Sequence, residues 1–238
     1  MALKPVGILG GMGPEATILL QQRVLAEVDA RDDADHVPLL IDMNPQVPSR
    51  IAHLIEGTGP SPAPVLVDMA RRLETMGATA LAMACNTAHV FADDIRAAVS
   101  VPFLDMVELA ASTCAVAGSD DRTIGLLGSP AVKTTWLYDR ALEAHGLTPV
   151  WLDDMDGQLT AIRDIKAHGV TPDSVKGLIE ASARLADRGH TVQLIACTEF
   201  SLACDRLPAT VRAIDALDSL ARAIVGQSRG SPEAEALS

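Results

Sequence analysis

Aromatic residues are scarce in this chain of 238 residues, which has three phenylalanines, two tryptophans and a single tyrosine, Tyr138. With few large rings and plentiful alanine, the expected core packs helices closely on sheets of small and branched residues. No apolar run approaches the roughly 20 residues that a membrane helix requires, so no membrane association is expected. Lys4 is the only charged residue before the apolar Val6–Leu9 stretch, and glycines interrupt the residues after it. A signal-peptide core is therefore not expected, and a cytoplasmic location is the default. The four cysteines form no C-x-x-C pair, which argues against a disulfide framework or a zinc ribbon and for free thiols. Cations are outnumbered, 19 Lys and Arg against 31 Asp and Glu, for a formal net charge of −12. Without a basic stripe or an aromatic-interleaved patch, nucleic acid is not an expected partner. An anionic metabolite is not excluded, because a few cations pointing into one pocket suffice. A dinucleotide fingerprint is also missing: G-x-G-x-x-G would need glycine where Ala16 stands, and no phosphate-loop lysine is present after it.

What the chain does have is repetition. Val6-Gly7-Ile8-Leu9-Gly10 is echoed by Ile124-Gly125-Leu126-Leu127-Gly128, and Ala80-Leu81-Ala82-Met83-Ala84-Cys85 by Val192-Gln193-Leu194-Ile195-Ala196-Cys197. A third echo, Phe103-Leu104-Asp105 against Ala213-Ile214-Asp215, keeps the order. Short apolar runs alternate with amphipathic stretches, the pattern of a mainly parallel sheet flanked by helices. The predicted fold is therefore α/β, with two pseudo-symmetric lobes and an active site in the cleft between them. Lobe 1 is read as residues 1–104 plus 215–228 and lobe 2 as residues 105–214. Strands are predicted at Val6–Leu9, Pro38–Asp42, Thr79–Ala84, Pro102–Leu104, Thr123–Leu127, Thr148–Leu152, Val192–Ala196 and Val211–Ile214. Helices are predicted at Pro64–Met76, stopping at Gly77, and at Asp173–Asp187, before Gly189. Leu217–Val225 reads as a final helix. The stretch after it, from Gly226, is polar and contains Gly, Ser and Pro, and residues 229–238 are expected to fray.

Cys85 and Cys197 each stand where a buried strand gives way to a loop and a helix. In an open α/β sheet the ligand crevice lies beyond the carboxyl ends of the strands, so both thiols are expected to point at it. Helix N-terminal amides there would lower a thiol's pKa. A single buried cysteine is ordinarily an inert small hydrophobe, but inertness does not explain why both copies keep one at the same strand end. Two thiols facing one pocket suit stereochemical inversion: one removes a proton from a carbon and the other returns a proton to the opposite face.

The motifs Gly10-Gly11-Met12-Gly13-Pro14-Glu15-Ala16-Thr17, Pro45-Gln46-Val47-Pro48-Ser49-Arg50, Cys85-Asn86-Thr87-Ala88-His89, Ile162-Arg163-Asp164-Ile165-Lys166 and Cys197-Thr198-Glu199 occur in the order found in one family. Through them the chain, from about Val6 to Val225, resembles the aspartate racemase branch of the cofactor-independent Asp/Glu/hydantoin racemases. The resemblance implies that Cys85 and Cys197 are the two acid/base residues, with Cys197 handling the L-enantiomer and Cys85 the D. It implies that no pyridoxal phosphate or other cofactor is used and that the protein is a homodimer. It places Arg50 on the substrate's side-chain carboxylate, which a guanidinium fork fits, and Lys166 as a second cation in the pocket. By residue type alone Arg50 would read as a solvated helix-start residue and Lys166 as a helix C-terminal cation before Gly169. Glutamate racemases resemble Cys-Thr-His at the second cysteine; Glu199, counted with the substrate-binding residues, points to the aspartate branch.

Met12 and its flanking glycines come after the first strand, where backbone amides can approach a carboxylate. Asn86, Thr87 and Thr198 are natural donors for the α-carboxylate. Ser129, Thr134 and Thr135 occupy the matching loop of the second copy, as substrate contacts or as helix caps. His89, four residues after Cys85, reads either as a residue that orients or activates the thiolate or as a hydrogen-bonded core histidine. Its spacing from Cys85 also suits a metal pair, but other ligands at regular spacing are missing, so no metal is expected. Cys114 and Cys204 lack the strand-end context and are read as structural. The leading expectation is racemisation of an acidic amino acid, L-aspartate foremost. The alternatives are a racemase of dual or broad specificity, a dicarboxylate isomerase of the same superfamily, and a dicarboxylate-binding protein without turnover.

Overall fold

Val6–Gly10 (β1) is buried along its whole length, as expected of a parallel strand covered on both faces. In the computed structural model, which describes residues 2–117 and 122–230, the first sheet adds Leu39–Met43 (β2), Ala80–Met83 (β3) and Phe103–Leu104 (β4) in the order β2-β1-β3-β4. The second contains Thr123–Gly128 (β5), Thr148–Val150 (β6), Val192–Ala196 (β7) and Arg212–Asp215 (β8) in the order β6-β5-β7-β8. Every pairing is parallel. The two sheets thus share one topology, and the eight strands fall where the apolar runs placed them. The chain divides into two compact units: one runs to Leu109 and resumes at Leu217, the other spans Ala110–Ala216.

In the first unit, Ala63–Thr75 opens on a proline in its first turn and contributes Leu66, Met69 and Leu73 to a core with Leu9, Leu81, Met83 and Phe103. Gly11 adopts φ 91°, and a Cβ there would lie 2.4 Å from the backbone carbon of Asn44. Only glycine brings the chain leaving β1 so close to the chain leaving β2. In the second unit, Asp156–His168 and Pro172–Ala186 pack Ile162, Ile165, Leu178 and Leu185 against Leu127 and Ile195. The latter helix begins with a Thr171/Ser174 capping box and a proline, two devices that satisfy or remove amides with no intrahelical partner. The buried Gln193 of β7 accepts from Ser182 Oγ at 2.7 Å and donates to the Ser182 carbonyl at 2.9 Å, so its polarity is matched inside the core.

The final helix is longer than the Leu217–Val225 read from the sequence. The final helix runs Ala216–Arg229, past Gly226. Ser228 is buried; its hydroxyl donates to the Lys4 carbonyl at 2.8 Å, and its own carbonyl accepts from the Lys4 amide at 2.9 Å. This backbone pairing holds the last turn, which composition does not reveal. Residues 231–238 lie outside the described residues. No described helix is long and apolar enough to cross a membrane.

Candidate active site

In each sheet the chain leaves its first strand toward one neighbour and then returns to the other side, so the strand order reverses between β1 and β3 and between β5 and β7. Ligands of open α/β sheets sit at the carboxyl ends of strands at such switch points. In the first unit these ends carry Met12 and Cys85, and in the second Ser129 and Cys197. The two halves are built differently.

Cys85 lies just past β3 and is 6% exposed. Asn86, also buried, leads into the 3-10 turn Thr87–Phe91, and the helix Ala92–Ala98 continues from it. His89 is a core histidine with both ring nitrogens engaged by backbone. Nδ1 lies 2.8 Å from the Cys85 carbonyl oxygen, and Nε2 accepts from the Met106 amide at 3.1 Å. It is therefore not placed to take the thiol proton. Burial pushes its pKa down, the Asp105 charge opposing.

Arg50 starts the short helix Arg50–Leu54, capped by Ser49 Oγ accepting from the Ala52 amide. Its side chain nonetheless turns back to the β1 loop. Nη1 donates to the carbonyls of Val47 and Pro48 at 3.3 and 3.0 Å, and Nη2 to the Met12 carbonyl at 3.3 Å. Nε is buried without a partner, and no carboxylate among the described residues pairs with the guanidinium. A cation held only by neutral carbonyls keeps its charge for an anion, so the solvated helix-start reading of Arg50 does not hold. Met12 thus meets Arg50 through its carbonyl. The neighbouring Gly11 amide is already used, donating to Thr17 Oγ1 at 3.0 Å.

In the second unit, Cys197 stands after β7 at the start of the four-residue helix Thr198–Ser201. Its thiol donates to Glu199 Oε2 at 3.0 Å, and Glu199 Oε1 accepts from Lys166 Nζ. Burial raises the Cys197 pKa well above the usual thiol value; the Glu199 charge and hydrogen bond add to this, and Lys166 only partly offsets them. The lowering expected from helix amides is present, through the Glu199 backbone, but is outweighed by burial first and then by a carboxylate that penalises a second negative charge beside the sulfur. Lys166 pairs with Glu199, whose carboxylate faces both Cys197 and Lys166.

Ser129 caps Pro130–Thr134 by accepting from the Val132 amide at 3.3 Å. Thr134 and Thr135 donate to the carbonyls of Pro130 and Val132 at 2.8 and 2.9 Å. Thr198 is buried beside Cys197. The sequence reading missed Gln158, which is buried and accepts from the Gly128 amide at 3.0 Å while its Nε2 has no partner. The signal was available: Gln158, Ile162 and Lys166 recur every four residues along one helix face. It also missed Lys133, whose Nζ donates to the Leu152 carbonyl at 2.9 Å. Cys114 is fully buried, its pKa pushed up to about 12 by burial. Among the described residues no three His, Cys, Asp or Glu are grouped to hold a metal ion.

The chain is 26% identical over 228 residues to the broad specificity amino-acid racemase RacX of Bacillus subtilis, covering 92% of this chain and 96% of that one. Its fold matches the Picrophilus torridus aspartate racemase with a TM-score of 0.86 at 28% identity, over 95% of this chain and 94% of that one. The glutamate racemase isoform RacE1 of Bacillus anthracis shares the fold alone, with a TM-score of 0.66 at 17% identity over 97% and 83% of the two chains. The Asp/Glu/Hydantoin racemase model matches residues 9–224, so the strand-end cysteines lie inside the matched region and the chain belongs to the Asp/Glu/hydantoin racemase family.

Proposed function

We propose that the protein racemises an acidic amino acid, L-aspartate foremost, without a cofactor, using Cys85 and Cys197 as its two acid/base residues. The observation that carries this reading is the recurrence of a buried cysteine at the exit of the third strand of each sheet, beside the switch point of the strand order. In each turnover one thiolate takes the α-proton and becomes a thiol. The electron pair left behind is delocalised into the α-carboxylate, and the other thiol delivers its proton to the opposite face and becomes a thiolate. Atoms and charge balance, and the enzyme ends in the mirror protonation state. Cys197 serves the L-enantiomer and Cys85 the D, so each is the base in one direction and the acid in the other. Arg50 receives the side-chain carboxylate, and Asn86, Thr87 and Thr198 supply donors for the α-carboxylate.

A second reading, racemisation of broad specificity, is favoured by the Lys166–Glu199 pair. It leaves Arg50 as the cation read for the substrate side chain. One charge-assisted contact is worth roughly 1.5 to 3 kcal/mol, which discriminates by about one to two decades.

The test tracks the circular dichroism of L-aspartate, L-glutamate and L-alanine over time with cofactor-free protein. Wild type is expected to racemise aspartate fastest. Cys85→Ala and Cys197→Ala should each lose racemisation by about 10² to 10⁴ or more. Arg50→Ala should lose roughly ten- to a hundredfold on aspartate and little on alanine. Full activity in either cysteine variant sinks the two-base assignment. Equal rates on all three amino acids in wild type select the broad reading.

A further inference from the structure

Four residues after Cys85 stands His89, and four after Cys197 stands Ser201. Both side chains reach the exit of the neighbouring strand. The β3–β4 ladder ends at Ala82↔Leu104; beyond it, His89 Nε2 accepts from the amide of Met106, the first residue of the helix Met106–Ala117 that comes after β4. The β7–β8 ladder ends at Ile195↔Asp215; at that last rung, Ser201 Oγ donates to Asp215 Oδ1 at 2.7 Å. In each unit, a side chain four residues past the cysteine adds a tie to the neighbouring strand's exit, two residues past the ladder in the first unit and at its last rung in the second.

We infer that His89 and Ser201 are positioning residues that fix each cysteine loop to the exit of the neighbouring strand, and that His89 does so as a neutral imidazole protonated at Nδ1. The inference rests on the reading of Cys85 and Cys197 as the acid/base pair. The tautomer is set by the partners. A carbonyl can only accept, so the ring nitrogen facing the Cys85 oxygen carries the hydrogen. A backbone amide can only donate, so the nitrogen facing Met106 keeps its lone pair. One tautomer meets both demands, and an imidazolium would break the second bond in a buried site. Ser201 has no such constraint, which is why the second unit can use a small hydroxyl where the first uses a ring. His89 also packs against the Phe103 ring at 5.5 Å between centroids, so the tie is braced from the β4 side. The charged groups acting on it are Asp105 and Arg96, which pair with each other.

The experiment uses the full chain as wild type and as His89→Gln, His89→Asn, Ser201→Ala and Cys85→Ala. It measures kcat and KM for L-aspartate and the rate of iodoacetamide alkylation at Cys85 and Cys197, resolved by peptide mass spectrometry. Glutamine can still accept from Met106 and asparagine can still donate to Cys85, but neither does both. Each is expected to lower kcat roughly ten- to a hundredfold, the scale of a misplaced reacting group, with KM nearly unchanged. Alkylation should speed up at Cys85 and stay unchanged at Cys197, whereas Ser201→Ala should show the reverse. Variants with wild-type kcat, or with both cysteines altered alike, overturn the inference. Should the variants not fold, nitrogen-15 NMR of the wild-type histidines decides it: the ring near the Met106 amide must show the Nδ1–H tautomer, and an Nε2–H tautomer or an imidazolium at neutral pH overturns it. Racemisation surviving in Cys85→Ala overturns instead the assignment of Cys85 to the acid/base pair, and with it the catalytic purpose of the tie. The tautomer and the alkylation rates still decide whether the tie exists.

Discussion

A thiol buried beside a carboxylate ionises reluctantly, and the groups around Cys197 make that reluctance adjustable. Glu199 raises its pKa through charge and hydrogen bond, and Lys166 lowers it. The two neighbours should therefore be separable by substitution with opposite signs. Glu199→Gln removes the negative charge beside the sulfur, so the Cys197 pKa should fall. Lys166→Met removes the offsetting cation, so it should rise. The measurement is the pH dependence of iodoacetamide alkylation at Cys197, which tracks the thiolate. Its midpoint should move down in the first variant and up in the second, by about a unit for each 1.4 kcal/mol of changed interaction. Shifts in the same direction for both variants would mean that the carboxylate does not act on the sulfur. Arg50 presents the contrasting case: its guanidinium is met by backbone carbonyls, Met12 among them, so its charge stays available where that of Lys166 does not.

Among the elements, the loop between β1 and the helix Pro14–Ala26 is held by a close backbone approach, and glycine is the residue that permits it. Gly11→Ala would add a Cβ 2.4 Å from the Asn44 backbone at φ 91°, whereas Gly77→Ala has a similar φ of 99° and open space around it. Gly77→Ala should thus cost only the left-handed backbone penalty, roughly 1 to 2 kcal/mol. Gly11→Ala should cost more and should also lower turnover, because the displaced chain carries the Met12 carbonyl that Arg50 holds. Urea unfolding of both variants checks the order, and equal losses would contradict it. The elements themselves were legible in the sequence, because fully buried parallel strands appear as short apolar runs such as Val192–Ala196, and the cysteines stood out because the repeat marked them. Partnership was not legible. Lys166 and Glu199 are 33 residues apart, and no periodicity pairs them. His89 could be read as orienting or activating a thiolate or as a core residue, because only the fold brings the Met106 amide to its far nitrogen. The helix past Gly226 escaped notice for the same reason, since Lys4 lies at the other end of the sequence from Ser228.

Across the whole chain, the first unit is completed by the C-terminal segment, where Leu217, Leu220 and Ile224 are fully buried, and each unit contributes one strand-end cysteine. The proposed two-base mechanism has a consequence that a single-base mechanism lacks: the group that removes the α-proton is not the group that returns one. A thiol exchanges its hydrogen with solvent, so in deuterium oxide the donating cysteine carries deuterium before the reaction starts. L-aspartate converted under these conditions should give D-aspartate labelled at the α-carbon from the first turnover, while the unreacted L-aspartate keeps its hydrogen at early times. Running the reaction from D-aspartate should give the mirror result. Proton NMR of the α-position, combined with chiral separation of the two enantiomers, reads both pools. Hydrogen retained in the product would mean that one base carries the same proton across. Deuterium entering substrate and product equally from the outset would mean a single exchanging base. Either outcome would rule out a division of labour between Cys85 and Cys197, whatever the effect of substituting each alone.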